Sequence, residues 1–223
     1  MKPAVRLVCL GRMPYLDALK VQHDVATKIK IQQKKGANPE NTLILVEHTP
    51  VYTVGIRIKN YGVSEEDRLK KLGADFIRSD RGGLITFHGP GQLVVYPILH
   101  LASFAHLRKS VRNYVCHLEQ SVIDTCKTFG VETIRTADTG VWLKERPLKI
   151  AALGIHCARY VTTHGAAVNC NTDLEWFDHI VPCGLEGKGV TSLSQVLNRN
   201  VTIEEVKKNY VPMFEKSFNC QVR

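Results

Sequence analysis

Short apolar segments separated by glycine and proline recur along this chain, and they limit it to folds that contain a β-sheet. Each segment is short, apolar and rich in residues that suit strands. The glycines and prolines between them predict tight turns. The predicted strands cover residues 42–47, 51–54, 75–79, 84–87, 92–96, 140–143, 149–153, 160–163 and 166–169.

Two long helical patterns flank these strands. Residues 14–30 have an apolar face that Gln22 interrupts, and a buried amide at that position needs hydrogen-bond partners. A second amphipathic pattern covers residues 107–129 and ends at Gly130, a residue typical of helix ends. Both helices are therefore expected to pack one face against the sheet.

Shorter helices complete the pattern. Residues 64–72 are predicted to form a helix that Ser64 caps, and further helices are expected after Thr191 and after Thr202. The elements together predict an α/β (α+β) fold. We expect one domain over residues 1–223, in which helices flank a mixed, largely antiparallel sheet.

The charge of the chain predicts an acidic partner, because the formal net charge is +9. Nucleic acid is disfavoured, since aromatic residues make up only 7% of the chain and do not alternate with basic residues as in stacking surfaces. No apolar run approaches the roughly 20 residues that span a bilayer, so no membrane association is expected. The segment before Asp17 contains Lys2, Arg6 and Arg12 but no acid, which is weakly compatible with mitochondrial import.

The seven cysteines contain no CxxC pair, which favours reduced thiols over a redox motif or a zinc knuckle. Cys116 and Cys126 lie in the second helical pattern and are expected to be structural. Cys183 differs, because Pro182 restricts the backbone before it and Gly184 frees the backbone after it. Such a turn can hold a thiol nucleophile toward a pocket, but an ordinary turn with a core cysteine has the same local sequence.

Residues 81–92 hold four glycines and one proline, so their backbone can approach a ligand closely and present N–H groups to it. A structural array of turns has the same composition. Neither GxxxxGK[ST] nor GxGxxG occurs in the chain, which removes the sequence argument for the commonest nucleotide sites. His88, within this stretch, is either a base or a buried, hydrogen-bonded histidine.

Lys149 opens the apolar strand 149–153, whose neighbours could desolvate its amine. The alternative is a lysine that extends its amine to solvent from the start of a strand. His164 adds a histidine beside Gly165, but no metal-ligand spacing joins the histidines. We therefore expect neither a metal nor another cofactor.

Four segments, in this order, resemble the octanoyltransferases of lipoate biosynthesis, also called the lipoate-protein ligase B family. They are Arg81-Gly-Gly-x-x-Thr-Phe-His-Gly-Pro-Gly-Gln-Leu-Val94, Lys149-Ile-Ala-Ala-Leu-Gly154, Thr163-His-Gly-Ala-Ala-Val-Asn169 and Ile180-Val-Pro-Cys-Gly184. A weaker resemblance extends from Leu10 to Leu193. Phe87 stands where the family often has tyrosine, so a hydroxyl is missing there. The resemblance implies the fold of the biotin and lipoate protein ligases.

The resemblance also implies a reaction. An octanoyl group would move from octanoyl-acyl carrier protein to a specific lysine of lipoyl domains, through a thioester on Cys183. Lys149 would take the thiol proton or favour the thiolate. The implied acceptors are the lipoyl domains of 2-oxoacid dehydrogenases and the glycine cleavage H protein. The implied compartment is the mitochondrion, or the cytoplasm if the chain is bacterial. Because carrier protein and lipoyl domains are acidic, they would be the acidic partners that the positive charge of the chain predicts.

The resemblance implies substrate-binding residues in three of the segments. They are Arg81, Gly82, Gly83, Leu84, Ile85, Thr86, Phe87, His88, Ala152, Leu153, Gly154, His164, Gly165, Ala166 and Ala167. Two other classes of function remain open. A cysteine-dependent thioester hydrolase would use the same thiol, and a basic binding module without chemistry would use none.

Overall fold

The computed structural model describes residues 2–57, 61–181 and 188–223. Its helices are α1 (Tyr15–Lys34), α2 (Val63–Lys70), α3 (Val111–Thr128), α4 (Leu193–Leu197) and α5 (Ile203–Phe218). Its strands are β1 (Ala4–Met13), β2 (Thr42–His48), β3 (Val51–Val54), β4 (Asp75–Arg78), β5 (Thr86–His88), β6 (Gln92–Ile98), β7 (Thr133–Ile134), β8 (Val141–Leu143), β9 (Leu148–Ala158), β10 (Val161–Asn169), β11 (Gly189–Val190) and β12 (Gln221–Val222). Among the described residues, no helix is both long enough and apolar enough to cross a membrane.

The larger sheet has the strand order β12-β1-β2-β6-β10-β9-β8-β7, and β11 pairs with β9. β1 is parallel to both β2 and β12, and β11 is parallel to β9. The pairs from β2 through β6, β10, β9 and β8 to β7 are antiparallel. This confirms the predicted mixed, largely antiparallel sheet. A smaller sheet has the order β4-β3-β5.

Helices cover both faces of the larger sheet. On β2, Leu43 and Leu45 belong to a core formed with α3 and α5, while Ile44 and Val46 pack with residues of α1. Because successive residues of a strand point to opposite faces, a strand buried on both sides must be apolar at nearly every position. The uninterrupted apolar run of this strand follows from that position.

One strand, β10, covers residues 161–163 and 166–169, so the predicted strand positions are confirmed there and the predicted break between two strands is wrong. Between them, His164 adopts a left-handed backbone with φ of 58°, and the strand continues through it. The N–H of His164 donates to Oε1 of Gln22 at 2.7 Å. This bond satisfies the oxygen of the buried Gln22 amide, whereas its Nε2 has no hydrogen-bond partner among the described residues.

Other local predictions have mixed outcomes. The helix after Thr202 is confirmed, and the Thr202 hydroxyl accepts the N–H of Glu205 at 3.3 Å. The cap predicted at Ser64 is wrong, because α2 follows Gly62 and has no side-chain cap. Cys116 is exposed, so its expected structural role is not supported by burial.

β1 was not predicted from the sequence. Arg6, Gly11 and Arg12 interrupt its apolar pattern, and five of its ten residues are exposed. Pairing with neighbours on both sides determines this strand, which local composition does not reveal.

Candidate active site

A narrow cavity lies where β6, β9 and β10 face α1 and residues 81–85, the glycine-rich loop before β5. Its volume is about 30 Å³, enough for about two water molecules. Small side chains from β9 and β10 leave this space between larger apolar neighbours. The cavity is lined by Tyr15, Arg81, Gly83, Leu84, Thr86, His88, Val94, Tyr96, Ala152, Leu153, Gly154, His164, Gly165, Ala166 and Ala167.

Glycines allow backbones to approach each other closely around this cavity. The N–H of Gly82 donates to the carbonyl of Ile155 at 2.9 Å, which fastens the loop to β9. A Cβ on Gly154 would lie 2.8 Å from the Gly82 oxygen, and one on Gly165 would lie 2.1 Å from the Val95 oxygen. Both distances are shorter than real Cβ contacts, so a side chain at either position would displace backbone.

Arg81 holds the glycine-rich loop from inside the protein. Its Nη2 donates to Oγ1 of Thr53 at 2.8 Å and to the Leu84 carbonyl at 2.9 Å, and its Nη1 donates to the Gly82 carbonyl at 3.0 Å. A buried guanidinium is stable only when its donors are paired in this way. Arg81 therefore sets the shape of the loop that lines the cavity.

A chain of hydrogen bonds connects His88 with the segment before α4. Gln92 Nε2 donates to Asn169 Oδ1 at 2.9 Å, and Asn169 Nδ2 donates to the Thr191 carbonyl at 2.9 Å. Gln92 therefore presents its oxygen to His88 Nδ1, 2.7 Å away, and this assigns the proton to Nδ1. Burial lowers the pKa of His88 to about 3. Of the two alternatives for His88, the structure shows the buried, hydrogen-bonded one.

Two further histidines lie near this cavity. Nε2 of His48 is 2.8 Å from the hydroxyl of Tyr96, and Nε2 of His164 is 2.7 Å from Oδ1 of Asp80. Burial lowers the pKa of His48 to about 4. Burial also lowers the pKa of His164, and its bond to Asp80 acts against that change. Both imidazoles are therefore neutral near pH 7.

An open groove of about 430 Å³ adjoins the cavity and contains Lys149. The lysine is 4% exposed, and its Nζ lies 4.7 Å from the centre of the Trp142 ring. Leu84 and Leu153 line both the groove and the cavity, so the two spaces share a wall. Of the two alternatives for Lys149, the structure shows the buried lysine rather than the one extended to solvent.

The predicted nucleophile, Cys183, lies outside the described residues, and the description of the chain resumes at Lys188. Lys188 places its Nζ 5.2 Å from the centre of the same Trp142 ring. Two residues later, Val190 of β11 pairs with Lys149 of β9. The chain that follows Cys183 is thus anchored beside the buried lysine.

Most of the predicted substrate-binding residues line the cavity, and three do not. Gly82 lines the groove instead. Ile85 and Phe87 pack into the core of the smaller sheet, while Thr86 and His88 line the cavity. Since successive residues of a strand point to opposite faces, one continuous motif serves both the core and the cavity.

Several residues of these two spaces were not predicted from the sequence. Tyr15, Val94 and Tyr96 line the cavity, and Trp142 lies against Lys149. Pairing of the predicted strands 140–143 and 149–153 is the signal that could have identified the tryptophan, because Trp142 is the register partner of Lys149.

A comparison with protein families decides the assignment of the chain. Residues 14–215 match the lipoyl protein ligase A/B catalytic domain. The chain belongs to this family. The expected resemblance is thereby confirmed at the level of the whole catalytic domain.

Relatives in the lipoyl protein ligase A/B family are similar over nearly their full length. The mitochondrial octanoyl-[acyl-carrier-protein]:protein N-octanoyltransferase of Danio rerio is 55% identical, with 98% of this chain and 94% of that protein covered. The enzyme of the same name from Xenopus tropicalis is 53% identical, with 96% and 87% covered. A solved lipoate-protein ligase A bound with ATP matches with a TM-score of 0.69 at 18% identity, over 100% of this chain and 88% of that one. The expected ligase-like fold is confirmed.

Proposed function

We propose that this protein is a mitochondrial octanoyltransferase of protein lipoylation. It takes an octanoyl group from octanoyl-acyl carrier protein and attaches it to a lysine of a lipoyl domain. Two animal relatives that are named as mitochondrial enzymes of this activity support the proposal, at 55% and 53% identity. The octanoyltransferase of Bacteroides thetaiotaomicron, 44% identical over 91% of this chain, supports the same chemistry.

The observation that carries the proposed mechanism is the buried amine of Lys149 in a groove that adjoins an apolar cavity. An acyl chain that enters along the groove reaches the cavity past Leu84 and Leu153, which line both spaces. Ala152 and Ala167 line the cavity, and their small side chains leave room for the end of the acyl chain. The cavity has room only for the end of the acyl chain, while the rest of the chain and its carbonyl carbon remain in the groove near Lys149.

In the first half-reaction, the sulfur of Cys183 attacks the thioester carbonyl of octanoyl-acyl carrier protein. The thiol proton moves to Nζ of Lys149 as the new C–S bond forms. The C–S bond to the carrier then breaks, and the carrier sulfur receives that proton. One thioester replaces another, so the step needs no further source of energy.

In the second half-reaction, the amine of the lipoyl lysine attacks the octanoyl thioester on Cys183. A C–N bond forms and the C–S bond to Cys183 breaks. The proton that the amine loses passes through Lys149 to the Cys183 sulfur, which restores the thiol. Water must be kept from the thioester between the two steps, because hydrolysis would release octanoate instead.

Chain connectivity supports the pairing of Cys183 with Lys149. Lys188 follows Cys183 by five positions, so the two lie within about 18 Å of each other. Lys188 and Lys149 contact the same Trp142 ring.

The proposed acceptors are the lipoyl domains of 2-oxoacid dehydrogenases and the glycine cleavage H protein, whose acidic surfaces suit the positive charge of the chain.

The proposal is tested by the intact mass of the protein after exposure to octanoyl-acyl carrier protein. We expect a gain of one octanoyl group, mapped by peptide analysis to Cys183 and lost in Cys183→Ala. Cys9→Ala and Cys116→Ala are matched controls, because both thiols are exposed, and both variants should retain the adduct.

Addition of a lipoyl domain or the H protein should then remove the adduct and add octanoyl to the acceptor lysine. Decay to octanoate at the same rate with and without acceptor would identify a thioester hydrolase. Absence of any adduct would favour a binding module, and an adduct on another cysteine would overturn the assignment of Cys183.

A further inference from the structure

A buried carboxylate lies on the face of α3 that packs against the sheet. Glu119 is 5% exposed, and its neighbours Leu118 and Val122 belong to the hydrophobic core. A carboxylate in such surroundings is stable only when its oxygens are hydrogen-bonded and its charge is balanced. The half-reactions above do not involve Glu119, so they leave its position unexplained.

Both oxygens of this carboxylate have partners in the segment between β7 and β8. Oε1 accepts the N–H of Gly140 at 3.0 Å, and Oε2 lies 3.3 Å from Nε of Arg135. Burial raises the pKa of the Glu119 carboxyl, while the Gly140 N–H, Arg135 and Lys149 each act against that rise. Lys149 thus belongs to the groups whose charge favours the ionised form of Glu119.

Gly140 connects Glu119 with the side chain of Lys149. Its N–H binds the carboxylate, while a Cβ built on it would lie 3.0 Å from Cε of Lys149. With φ of 136°, this position also favours glycine for its backbone. The lysine stem thus packs on a glycine that Glu119 holds, and its Nζ contacts the Trp142 ring.

We propose that Glu119 is a positioning residue for Lys149, which fixes the lysine stem through Gly140 and favours the ammonium form after proton transfer. This inference rests on the proposed role of Lys149 as carrier of the Cys183 proton. The S–H bond breaks, Nζ binds the proton, and the carrier sulfur receives it, so Glu119 neither gains nor loses a proton. In catalytic triads a buried carboxylate orients the base in the same way.

Other charged groups lie around the groove or pair with its residues. They are Arg57, Arg135, Asp138 and Lys188. Asp138 and Lys188 form an ion pair with each other, and Arg135 is 38% exposed in its side chain. Asp138 and Lys188 balance each other and Arg57 is exposed to solvent, whereas Glu119 is a buried carboxylate whose charge Arg135 offsets only from a partly exposed position.

The coupling of the two residues can be measured without any assay of activity. The amide chemical shift of Gly140 follows the titration of the Glu119 carboxyl, because its N–H donates to Oε1. Lys149→Met keeps the stem and removes the cation, so we expect the midpoint of this titration to rise. Lys144→Met removes an exposed lysine of the same hairpin and should leave the midpoint unchanged. An unchanged midpoint in Lys149→Met overturns the proposal.

Kinetics test the consequence for catalysis. Glu119→Gln keeps an oxygen for the Gly140 N–H but removes the buried negative charge that stabilises the ammonium formed when Nζ takes the thiol proton. We expect the maximal rate of acylation, reached at high pH, to fall about tenfold or more, and the half-maximal pH of the rate profile to shift toward lower pH. Glu132→Gln makes the same change at an exposed position and should retain wild-type values.

The outcomes separate this proposal from the proposed function. A slower Glu119→Gln protein with an unchanged pH profile would indicate a purely structural role and overturn the proposal, as would a wild-type rate. If the wild-type protein forms no octanoyl adduct on Cys183, the proposed function fails, and the Gly140 titration still decides whether Glu119 and Lys149 are coupled.

Discussion

Nζ of Lys149 lies 4.7 Å from the centre of the Trp142 ring. The two residues are register partners on β9 and β8, so strand pairing presents the aromatic face to the amine. Lys188 approaches the same ring. A cation over an indole face is attracted by the charge distribution of the ring. Trp142 therefore links the proposed proton carrier to the chain that follows Cys183.

Removal of this aromatic face should slow acylation, and the loss of rate should exceed what a loss of folded protein explains. We expect Trp142→Leu to lower the acylation rate by about fivefold to thirtyfold, because a desolvated cation–π contact contributes about 1–2 kcal/mol. Trp142→Phe keeps an aromatic face and should fall between the wild type and Trp142→Leu. Rapid-quench acylation and thermal unfolding, measured on both variants, check this order. Equal rates for the two variants would show that the aromatic face has no role.

Replacement of Lys149 by arginine distinguishes a proton carrier from a fixed positive charge. A guanidinium does not deprotonate near neutral pH, so it cannot carry the thiol proton. We expect Lys149→Arg to lower both half-reactions by about a hundredfold or more. The half-reactions are measured separately, with octanoyl-acyl carrier protein and with preformed acyl-enzyme. Near wild-type transfer by Lys149→Arg would mean that the lysine acts only through its charge.

Buried histidines should make the protein sensitive to acid. The pKa values of His48 and His88 are about 4 and about 3 in the folded protein, below about 6.5 in the unfolded chain. Below that pH the unfolded state binds more protons, so the free energy of unfolding falls as the pH falls toward the folded values. Each histidine should cost about 2 kcal/mol between about pH 6.5 and about pH 5.

Urea unfolding at several pH values measures this dependence. His48→Gln should show a shallower decline in the free energy of unfolding below pH about 6.5 than the wild type. His23→Gln replaces an exposed histidine and should keep the wild-type slope. The explanation fails if the two variants decline equally.

The close approach of the glycine-rich loop to β9 predicts a cost for any side chain at Gly154. In Gly154→Ala the new Cβ would lie 2.8 Å from the Gly82 oxygen and 3.1 Å from Cδ of Arg81, so the loop must move outward. We expect the free energy of unfolding to fall by about 1–3 kcal/mol and acylation to slow. Gly62→Ala is the matched control, because a Cβ there meets no atom within 4 Å. Equal stability of the two variants would contradict the close approach.

Much of the fold follows from local patterns in the sequence. The apolar stripe over residues 107–129 predicts α3 to within a few residues, because side chains three or four positions apart share one face of a helix. The predicted strands 42–47 and 51–54 are likewise observed. Residues that line the cavity and the groove were found through segments that resemble a family, since their chemistry is not evident from period or composition.

Sequence patterns and the family resemblance thus predict the type of most elements and the segments that line the cavity and the groove, whereas the contacts between side chains of separate elements follow from how those elements pack. The pattern over residues 160–169 predicts two strands, whereas one strand forms in the fold, where Gln22 of the distant helix α1 accepts the His164 N–H. Glu119 and Lys149 belong to separate elements and interact because α3 packs against the sheet. Local patterns report the preferences of neighbouring residues, whereas these contacts depend on the long-range packing of separate elements.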